Sequence, residues 1–356
     1  MAKIDRLLTY LKDNDGSDLH LAAGLEPRVR QKGCICKIED EGVLDHEGLR
    51  ALMCEIASPR AWQDYEATND LDFAYAIEGV ARFRANYFMQ NQGAGAVFRI
   101  IPEEIIPAED LGLADAISDL ADLGHGLVLV TGPTGSGKST TLAAIIDKLN
   151  KTYARHVVTI EDPVEFVHQN RNSTFSHREV GLHTQGFGPA LRSAIRQDAD
   201  VILVGEMREQ ETIALAITAA EMGMLVFGTL HTNNAAKTVD RIIDAFPAEE
   251  QNMVRLSLSE SLAGIVSQLL LPTADGKSRI AVNEILLRTP GLPNVIRDGN
   301  TQMLASIIQS GKGLGMRAMD DVLFEYARDG KITAHDAYMK ATDKARFEPL
   351  VDGQPG

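Results

Sequence analysis

Apolar and polar positions in the first hundred residues predict a small α+β domain. Apolar residues recur at helical spacing from Ile4 to Leu11, and a second helical pattern runs from Leu49 to Ile56. Apolar stretches bounded by turn residues predict strands at residues 19–23, 29–38, 73–77, 81–89 and 94–101. In the strand over 81–89, the period of two places Phe83, Ala85, Tyr87 and Met89 on one face and Arg82, Arg84 and Asn86 on the other.

The pattern then breaks and changes period. Pro102, Glu103 and Pro107 stand among several acids and predict a linker over residues 103–122, between domains at 1–102 and 123–356. Strands at 126–131, 157–160, 201–204 and 225–230 alternate with helices at 139–150, 189–197 and 211–221. This alternation predicts an α/β domain with a largely parallel sheet. From about residue 235 the pattern predicts helices to the end, with a frayed tail at 352–356.

Composition narrows the class of protein. The 356 residues carry 35 Lys and Arg against 50 Asp and Glu, and the net charge of −15 disfavours a nucleic-acid partner. No apolar run approaches the ~20 residues that span a bilayer, and the N-terminus has no secretory pattern. Three cysteines, Cys34, Cys36 and Cys54, are too few for a disulfide framework or a zinc site of their own. We therefore expect a cytosolic protein.

The strongest motif is a phosphate-binding loop. Residues 132–139 read GPTGSGKS and match the P-loop pattern, with an apolar strand before them and an amphipathic helix after them. The expected ATP-binding residues of this segment are Gly132, Pro133, Thr134, Gly135, Ser136, Gly137, Lys138, Ser139 and Thr140. Lys138 would reach the β- and γ-phosphates, and the Ser139 hydroxyl would bind Mg²⁺. ATP and Mg²⁺ are thus the predicted ligands.

Acids and a histidine follow three of the other predicted strands. Because ligands bind at the carboxyl ends of strands in open α/β sheets, Glu206 is the expected catalytic base for water attack on the γ-phosphate. Glu161 and Glu165 are expected to hold the metal or the water, with Glu161 reaching Mg²⁺ through a water molecule. His231 alone would be read as a structural histidine, but at this edge it can sense the γ-phosphate or contact a neighbouring subunit.

These motifs together resemble the ATPase superfamily of type II secretion and type IV pili. Residues 161–165 look like its Asp box, residues 200–208 like its Walker B segment with glycine before the glutamate, and residues 228–233 like its His box. Within the superfamily, the PilT-like retraction (twitching-motility) ATPases are similar in five further segments: 16–21, 81–86, 93–99, 177–181 and 235–241. The resemblance covers nearly the whole chain.

The resemblance implies a PAS-like N-terminal domain, a RecA-like ATPase domain and a helical C-terminal part. It implies a homohexameric ring that converts ATP hydrolysis into pilus retraction, with Arg84 and Arg99, and Arg82 nearby, closing on the nucleotide phosphates. The implied partners are an inner-membrane platform protein and a paralogous pilus ATPase, with no nucleic acid and no direct membrane insertion. The implied location is the cytoplasmic side of the pilus base.

One segment departs from the retraction pattern, and other functions stay open. Where the retraction ATPases carry a helix reading like AIRNLIR, residues 291–297 read GLPNVIR, and Pro293 could occupy the first turn of a helix. The nearest alternative is a pilus-extension or type II secretion assembly ATPase, which typically has a further N-terminal domain and a four-cysteine insertion. A RecA-type nucleic-acid translocase and a nucleotide-gated scaffold without turnover are the alternatives from other classes.

Overall fold

The computed structural model describes residues 2–31, 33–101 and 104–352, apart from the side chain of Asp352. The chain divides into two compact units. Met1–Glu104 together with Asp162–Val167 form the N-terminal unit, and Ile105–Glu161 together with His168–Gly356 form the P-loop unit. Pro102 of the predicted first domain, Glu103 of the predicted linker and residues 353–356 of the predicted tail lie outside the described residues. The predicted division into domain, linker and domain stays a prediction.

In its described residues, the N-terminal unit has a six-stranded antiparallel sheet and three helices. Its strands are β1 (Gly16–Ala22), β2 (Arg28–Gln31), β3 (Cys34–Lys37), β4 (Asp70–Ile77), β5 (Ala81–Gln90) and β6 (Gly93–Ile101), in the order β3-β2-β1-β6-β5-β4. Its helices are α1 (Asp5–Asp13), α2 (His46–Ile56) and α3 (Pro59–Thr68).

Local sequence explains the helix starts in this unit. The Asp45 carboxylate accepts a hydrogen bond from the Gly48 N–H at 2.7 Å and caps α2. Ser58 caps α3 in the same way, with Pro59 in the first turn. This helix was not predicted, because its apolar residues are too few to show a stripe.

The predicted face of β5 is largely confirmed. Phe83, Ala85 and Tyr87 are fully buried in the core, but Met89 is 37% exposed because it lies near the end of the strand. The single strand predicted over residues 29–38 is wrong. The structure has the hairpin of β2 and β3 there, with Gly33 at a φ of 85° where the chain reverses.

The P-loop unit is built on a seven-stranded sheet. Its strands are β7 (Gly126–Thr131), β8 (His156–Glu161), β9 (Thr174–Glu179), β10 (Val201–Val204), β11 (Leu225–Leu230), β12 (Leu262–Pro272) and β13 (Arg279–Leu287). Its α-helices are α4 (Asp115–Ser118), α5 (Lys138–Thr152), α6 (Phe187–Ala194), α7 (Gln210–Glu221), α8 (Ala235–Ile243), α9 (Gln251–Ser261), α10 (Leu292–Arg297), α11 (Leu304–Ser310), α12 (Met319–Arg328), α13 (Ala334–Lys340) and α14 (Glu348–Asp352).

The strands at the centre of this sheet are completely buried. The order is β13-β12-β7-β11-β10-β8-β9, and every neighbouring pair is parallel except β12 with β13. All residues of β7, β10 and β11 are buried, as expected for a parallel sheet covered by helices on both faces. Separate apolar clusters lie on the two faces of this sheet.

The prediction that the chain is helical after residue 235 is wrong in part. Two long strands, β12 and β13, interrupt the helices and extend the sheet beyond β7. Residues 262–272 read LAGIVSQLLLP, an apolar run that a buried helix and a buried strand share, so periodicity alone does not separate them. Strand β9 is not predicted either, because it is mostly polar: it includes Ser176 and His177 and has no apolar run.

Candidate nucleotide-binding site

The P-loop connects the end of β7 to the start of α5. Gly132, Gly135 and Gly137 have φ values of 145°, 79° and 84°, a region that favours glycine. An added Cβ at Gly132 would lie 2.2 Å from the Gln268 carbonyl oxygen, so this position has no room for a side chain. The sequence therefore forms the tight, glycine-dependent turn that brings backbone N–H groups towards a phosphate.

Lys138 begins α5 and folds back over the loop. Its Nζ donates to the carbonyl oxygens of Gly132 at 2.9 Å and Pro133 at 3.1 Å. Ser139 and Thr140 follow in the first helical turn and are half-buried. The helix stays in place because Leu142, Ile145 and Leu149 of its inner face are buried, as the sequence predicts.

The loop fits a phosphate group chemically. Within the described parts of the chain, the buried Ser136 Oγ has no hydrogen-bond partner and the Gly137 N–H has no acceptor. Buried polar groups are nearly always satisfied, so such groups point to a ligand. The helix N-terminus adds partial positive charge at the same place. These residues fit a nucleoside triphosphate, and the Ser139 hydroxyl is the group of this segment that would hold Mg²⁺.

Glu206 follows β10, with β11 between that strand and β7. Its side chain is 23% exposed. Gly205 precedes it because an added Cβ there would approach the Glu161 Cα and the Ile160 carbonyl oxygen, each to 3.2 Å. The glycine before the glutamate thus allows the ends of β8 and β10 to approach closely.

His231 and Arg208 both bind the Glu206 carboxylate. His231 Nε2 lies 2.8 Å from Glu206 Oε1, and Arg208 Nε forms an ion pair with the same oxygen. Glu206 Oε2 accepts no hydrogen bond from any described residue. The sequence placed Glu206 and His231 at one sheet edge, and the structure brings them into contact.

The segment after His231 is held by the sheet. The Ala235 N–H at the start of α8 donates to Glu284 Oε1 at 2.8 Å, and Asn234 caps the same helix. Burial raises the pKa of Glu284, while backbone N–H groups of Ala235 and Met319 oppose that rise. Glu284 was not predicted, because a glutamate within an unpredicted strand gives no sequence signal.

Glu161 and Glu165, the two acids predicted in the segment after β8, belong to different units. Glu161 is the last residue of β8 and is buried in the P-loop unit. Glu165 is half-buried and belongs with Asp162–Val167 to the N-terminal unit. The Asp162–Pro163 peptide bond is cis.

The predicted arginines lie on one face of the N-terminal sheet. Arg84 of β5 and Arg99 of β6 are directly opposite each other, and Arg82 lies on the same face two residues before Arg84. Arg84 Nη2 is 2.6 Å from Asp72 Oδ2. This hydrogen bond raises the pKa of Arg84 against the opposing effect of burial, and Glu165 adds a smaller contribution in the same direction.

Arg99 pairs with a buried acid. Its Nε lies 2.8 Å from Asp18 Oδ1, and Asp18 is 4% exposed. Burial alone would raise the pKa of Asp18, but hydrogen bonds from Ser17 and Arg99 outweigh it and lower the pKa. Both facing arginines are thus paired with carboxylates, and their planar guanidinium groups suit phosphate oxygens.

The structure adds a residue that the sequence did not single out. Gln268 of β12 is buried beside the P-loop and donates to the Ser136 carbonyl oxygen at 2.6 Å. Its only sequence signal is a Ser-Gln pair within an apolar run. That signal can be interpreted only when the run is known to be a strand beside β7.

The described residues contain neither a membrane-spanning helix nor a cluster of metal ligands. No helix there is both long and apolar enough to cross a bilayer. No group of three or more His, Cys, Asp or Glu side chains is arranged there to hold a metal ion.

Comparison with known proteins gives matches over most of the chain. A profile of the Type II/IV secretion system protein family matches residues 56–311. The chain is 49% identical over 344 residues to the type IV pilus retractation ATPase PilT of Pseudomonas aeruginosa, covering 97% of this chain and 99% of that protein. It is 38% identical to the type IV pilus ATPase PilU of the same organism, covering 95% of this chain and 88% of that protein.

Solved structures agree in fold. The crystal structure of the pilus retraction motor PilT with bound ADP matches with a TM-score of 0.90 and 40% identity, covering 98% of this chain and 99% of that one. The ATPase DotB of Legionella pneumophila matches with a TM-score of 0.84 and 28% identity, covering 94% of each chain. The predicted α/β fold and the predicted resemblance to secretion ATPases are confirmed, and the chain belongs to the type II/IV secretion system protein family.

Proposed function

We propose that this chain is an ATP-hydrolysing motor that powers type IV pilus retraction. The observation that carries the proposal is the near end-to-end likeness to the PilT retraction ATPase, at 49% identity over 97% of the chain. The P-loop at the end of β7, with Glu206 beyond β10, supplies the ATPase chemistry that such a motor needs.

Nucleotide binding begins at the loop. The glycine-rich turn presents backbone N–H groups, and Lys138 leaves its loop carbonyls to reach the β- and γ-phosphates. Ser139 would bind Mg²⁺ directly and Glu161 through a water molecule. The bound ion would neutralise charge that develops on the phosphates.

Water activation falls to Glu206. Arg208 and His231 occupy Oε1 and thereby fix the carboxylate, while Oε2 can accept the proton of the attacking water. His231 joins this carboxylate to the end of β11, so a change at the γ-phosphate can reach the His231 segment. Glu165 has the supporting role of holding water or metal.

The N-terminal arginines bind phosphate oxygens in this proposal. Arg84 and Arg99 are cationic and face the same side of the sheet, and Arg82 follows that face. Their exchange of Asp72 and Asp18 for a phosphate would couple nucleotide state to the N-terminal unit.

The working assembly is a cytoplasmic homohexamer at the pilus base. It would bind an inner-membrane platform protein, which would hold it at the membrane. A paralogous pilus ATPase is a further partner, and the 38% likeness to PilU supports the existence of such relatives beside PilT in one organism.

The departure at residues 291–293 does not remove the corresponding helix. Leu292–Arg297 form α10, with Pro293 in the first turn as predicted. Leu292 and Ile296 are buried, so the helix packs through its apolar positions despite the lost arginine of the family pattern.

Deleting the gene in its own host separates retraction from extension. Without a retraction motor, pili extend and stay extended, so we expect excess surface pili and loss of twitching motility. Electron microscopy of surface pili measures the outcome. Bald cells would contradict the proposal and indicate an extension ATPase, and unchanged pili would place the chain outside both processes.

A further inference from the structure

Gln268 makes three hydrogen bonds beneath the P-loop. Its Nε2 donates to the Ser136 carbonyl oxygen at 2.6 Å. Its Oε1 accepts from Thr141 Oγ1 at 2.8 Å and from Asn283 Nδ2 at 2.9 Å. The side chain is 2% exposed, so water cannot take the place of a lost partner in any of these bonds.

The Ser136 carbonyl oxygen determines how the Gln268 amide is oriented. A carbonyl can only accept, so it requires the Nε2 of Gln268 and leaves Oε1 to accept from Thr141 and Asn283. Asn283 lies directly opposite Gln268 on β13, and Thr141 lies on α5. These partners hold the Nε2 towards Ser136.

The backbone of Gln268 also touches the loop. Its carbonyl oxygen is the atom that leaves no room for a Cβ at Gly132, and its Nε2 would lie 3.0 Å from a Cβ at Gly137. Gly132 and Gly137 begin and end the loop. Gln268 therefore contacts both ends of the phosphate-binding segment.

The bond to Ser136 sets the direction of a phosphate-facing donor. The peptide between Ser136 and Gly137 is planar and trans, so its C=O and N–H groups point in opposite directions. With the Ser136 carbonyl turned to Gln268, the Gly137 N–H points away from β12. That N–H has no acceptor among the residues described.

We propose that Gln268 is a positioning residue that pre-organises the P-loop for nucleotide by fixing the Ser136–Gly137 peptide. The inference rests on the proposed ATPase function and adds a residue outside the P-loop motif to it. Without Gln268 the peptide can rotate, and binding must then supply the cost of ordering it.

Gln268→Glu tests the inference, with Ser267→Ala as the matched control. The ionised side chain of Gln268→Glu keeps Oε1 for Thr141 and Asn283 but places an oxygen acceptor against the Ser136 carbonyl. A protonated carboxyl would restore the donor, so Gln268→Asn, whose shorter amide cannot reach Ser136, is measured beside it. Ser267 precedes Gln268 on β12, is fully buried and accepts only from Thr131 Oγ1, at 2.9 Å, among the bonds of the described structure. Each variant therefore loses one buried hydrogen bond of the same strand, and only one of those bonds reaches the loop.

The measurements are titration with fluorescent N-methylanthraniloyl-ATP and Mg²⁺, steady-state phosphate release and thermal unfolding. We expect Gln268→Glu to raise the Kd and the KM for ATP about tenfold, with kcat within about twofold of wild type. Ser267→Ala should lower the unfolding temperature but leave the Kd within about twofold.

Two results would overturn the inference: a Kd for Gln268→Glu within about threefold of wild type, or an equal rise of Kd in both variants. If Gln268→Glu does not fold, Gln268→Asn is judged by the same criteria. A wild-type chain that binds no nucleotide would refute the proposed ATPase function itself, and that result is separate from the comparison of variants.

Discussion

At the scale of single residues, the proposed mechanism depends on how the Glu206 carboxylate is held. His231 and Arg208 bind Oε1 of Glu206, and in the proposed mechanism Oε2 accepts the proton of the attacking water. Gly205 makes this possible, because any side chain there would push Glu161 and the end of β8 away. Lys138 donates to two loop carbonyls, which the proposed mechanism has it exchange for phosphate oxygens.

Glu206→Gln should separate binding from hydrolysis. The amide keeps the shape of the side chain but cannot accept a proton from water, so we expect phosphate release to fall at least about 100-fold with nucleotide binding preserved. Lys138→Ala should abolish release as well, and it should weaken binding because the phosphate charge loses its cation. Phosphate release and nucleotide titration measure both effects.

Glu209→Gln is the control for charge. Glu209 is exposed and makes no side-chain cap at the start of α7, so its neutralisation should leave both measurements at the wild-type level. Undiminished turnover in Glu206→Gln would remove Glu206 from the mechanism.

At the scale of elements, the strands that carry the site were largely predictable. The bounds of β7, β10 and β11 follow directly from their apolar runs between turn residues, and P-loop chemistry follows from its motif. Strands β12 and β13 were not predictable, because an apolar run such as 262–272 suits a buried helix as well. Gln268 was missed for that reason, since its role depends on which strand lies beside β7.

The contacts of the predicted site residues were predictable only in part. Parallel strand ends bring Glu206 and His231 together, as expected for open α/β sheets. The pairing of Arg99 with Asp18 joins strands far apart in sequence, and no periodicity predicts which acid meets which arginine.

The C-terminal helices offer a pH-dependent test at this scale. Asp321 of α12 binds Lys312 Nζ at 2.7 Å and Arg346 Nη1 at 2.6 Å, and so ties three segments together. Burial alone would raise its pKa, but hydrogen bonds from Lys312, Arg346 and Gln309 lower it to about 2. A carboxylate with a lowered folded-state pKa stabilises the fold above its unfolded pKa near 3.8, and this contribution is lost as pH falls towards 2.

Asp321→Asn should therefore cost on the order of 2 kcal/mol of unfolding free energy at pH 7, and about half of that at pH 3. Urea unfolding at both pH values, followed by circular dichroism, measures the difference. Asp329→Asn is the control, since its pair with Arg328 is exposed and worth under about 1 kcal/mol. A cost for Asp321→Asn that does not change with pH would contradict the ion-pair explanation.

At the scale of the whole molecule, the net charge is −15, so binding of the anionic nucleotide is proposed to depend on a few cations. Lys138 at the loop and Arg84 and Arg99 on the N-terminal sheet are the cations proposed to meet the nucleotide. The remaining negative surface charge would repel a nucleic acid, whereas one ATP molecule requires only these local groups. Family membership and charge thus favour a motor that acts on protein.

Complementation of a deletion strain tests most directly whether ATP hydrolysis at Glu206 drives pilus retraction. The measurement is the number of surface pili and the twitching zone after expression of wild type, Glu206→Gln or the Glu209→Gln control at equal levels. We predict that wild type and Glu209→Gln restore normal piliation and twitching, whereas Glu206→Gln leaves excess pili and no movement. Restoration of both by Glu206→Gln would contradict the account.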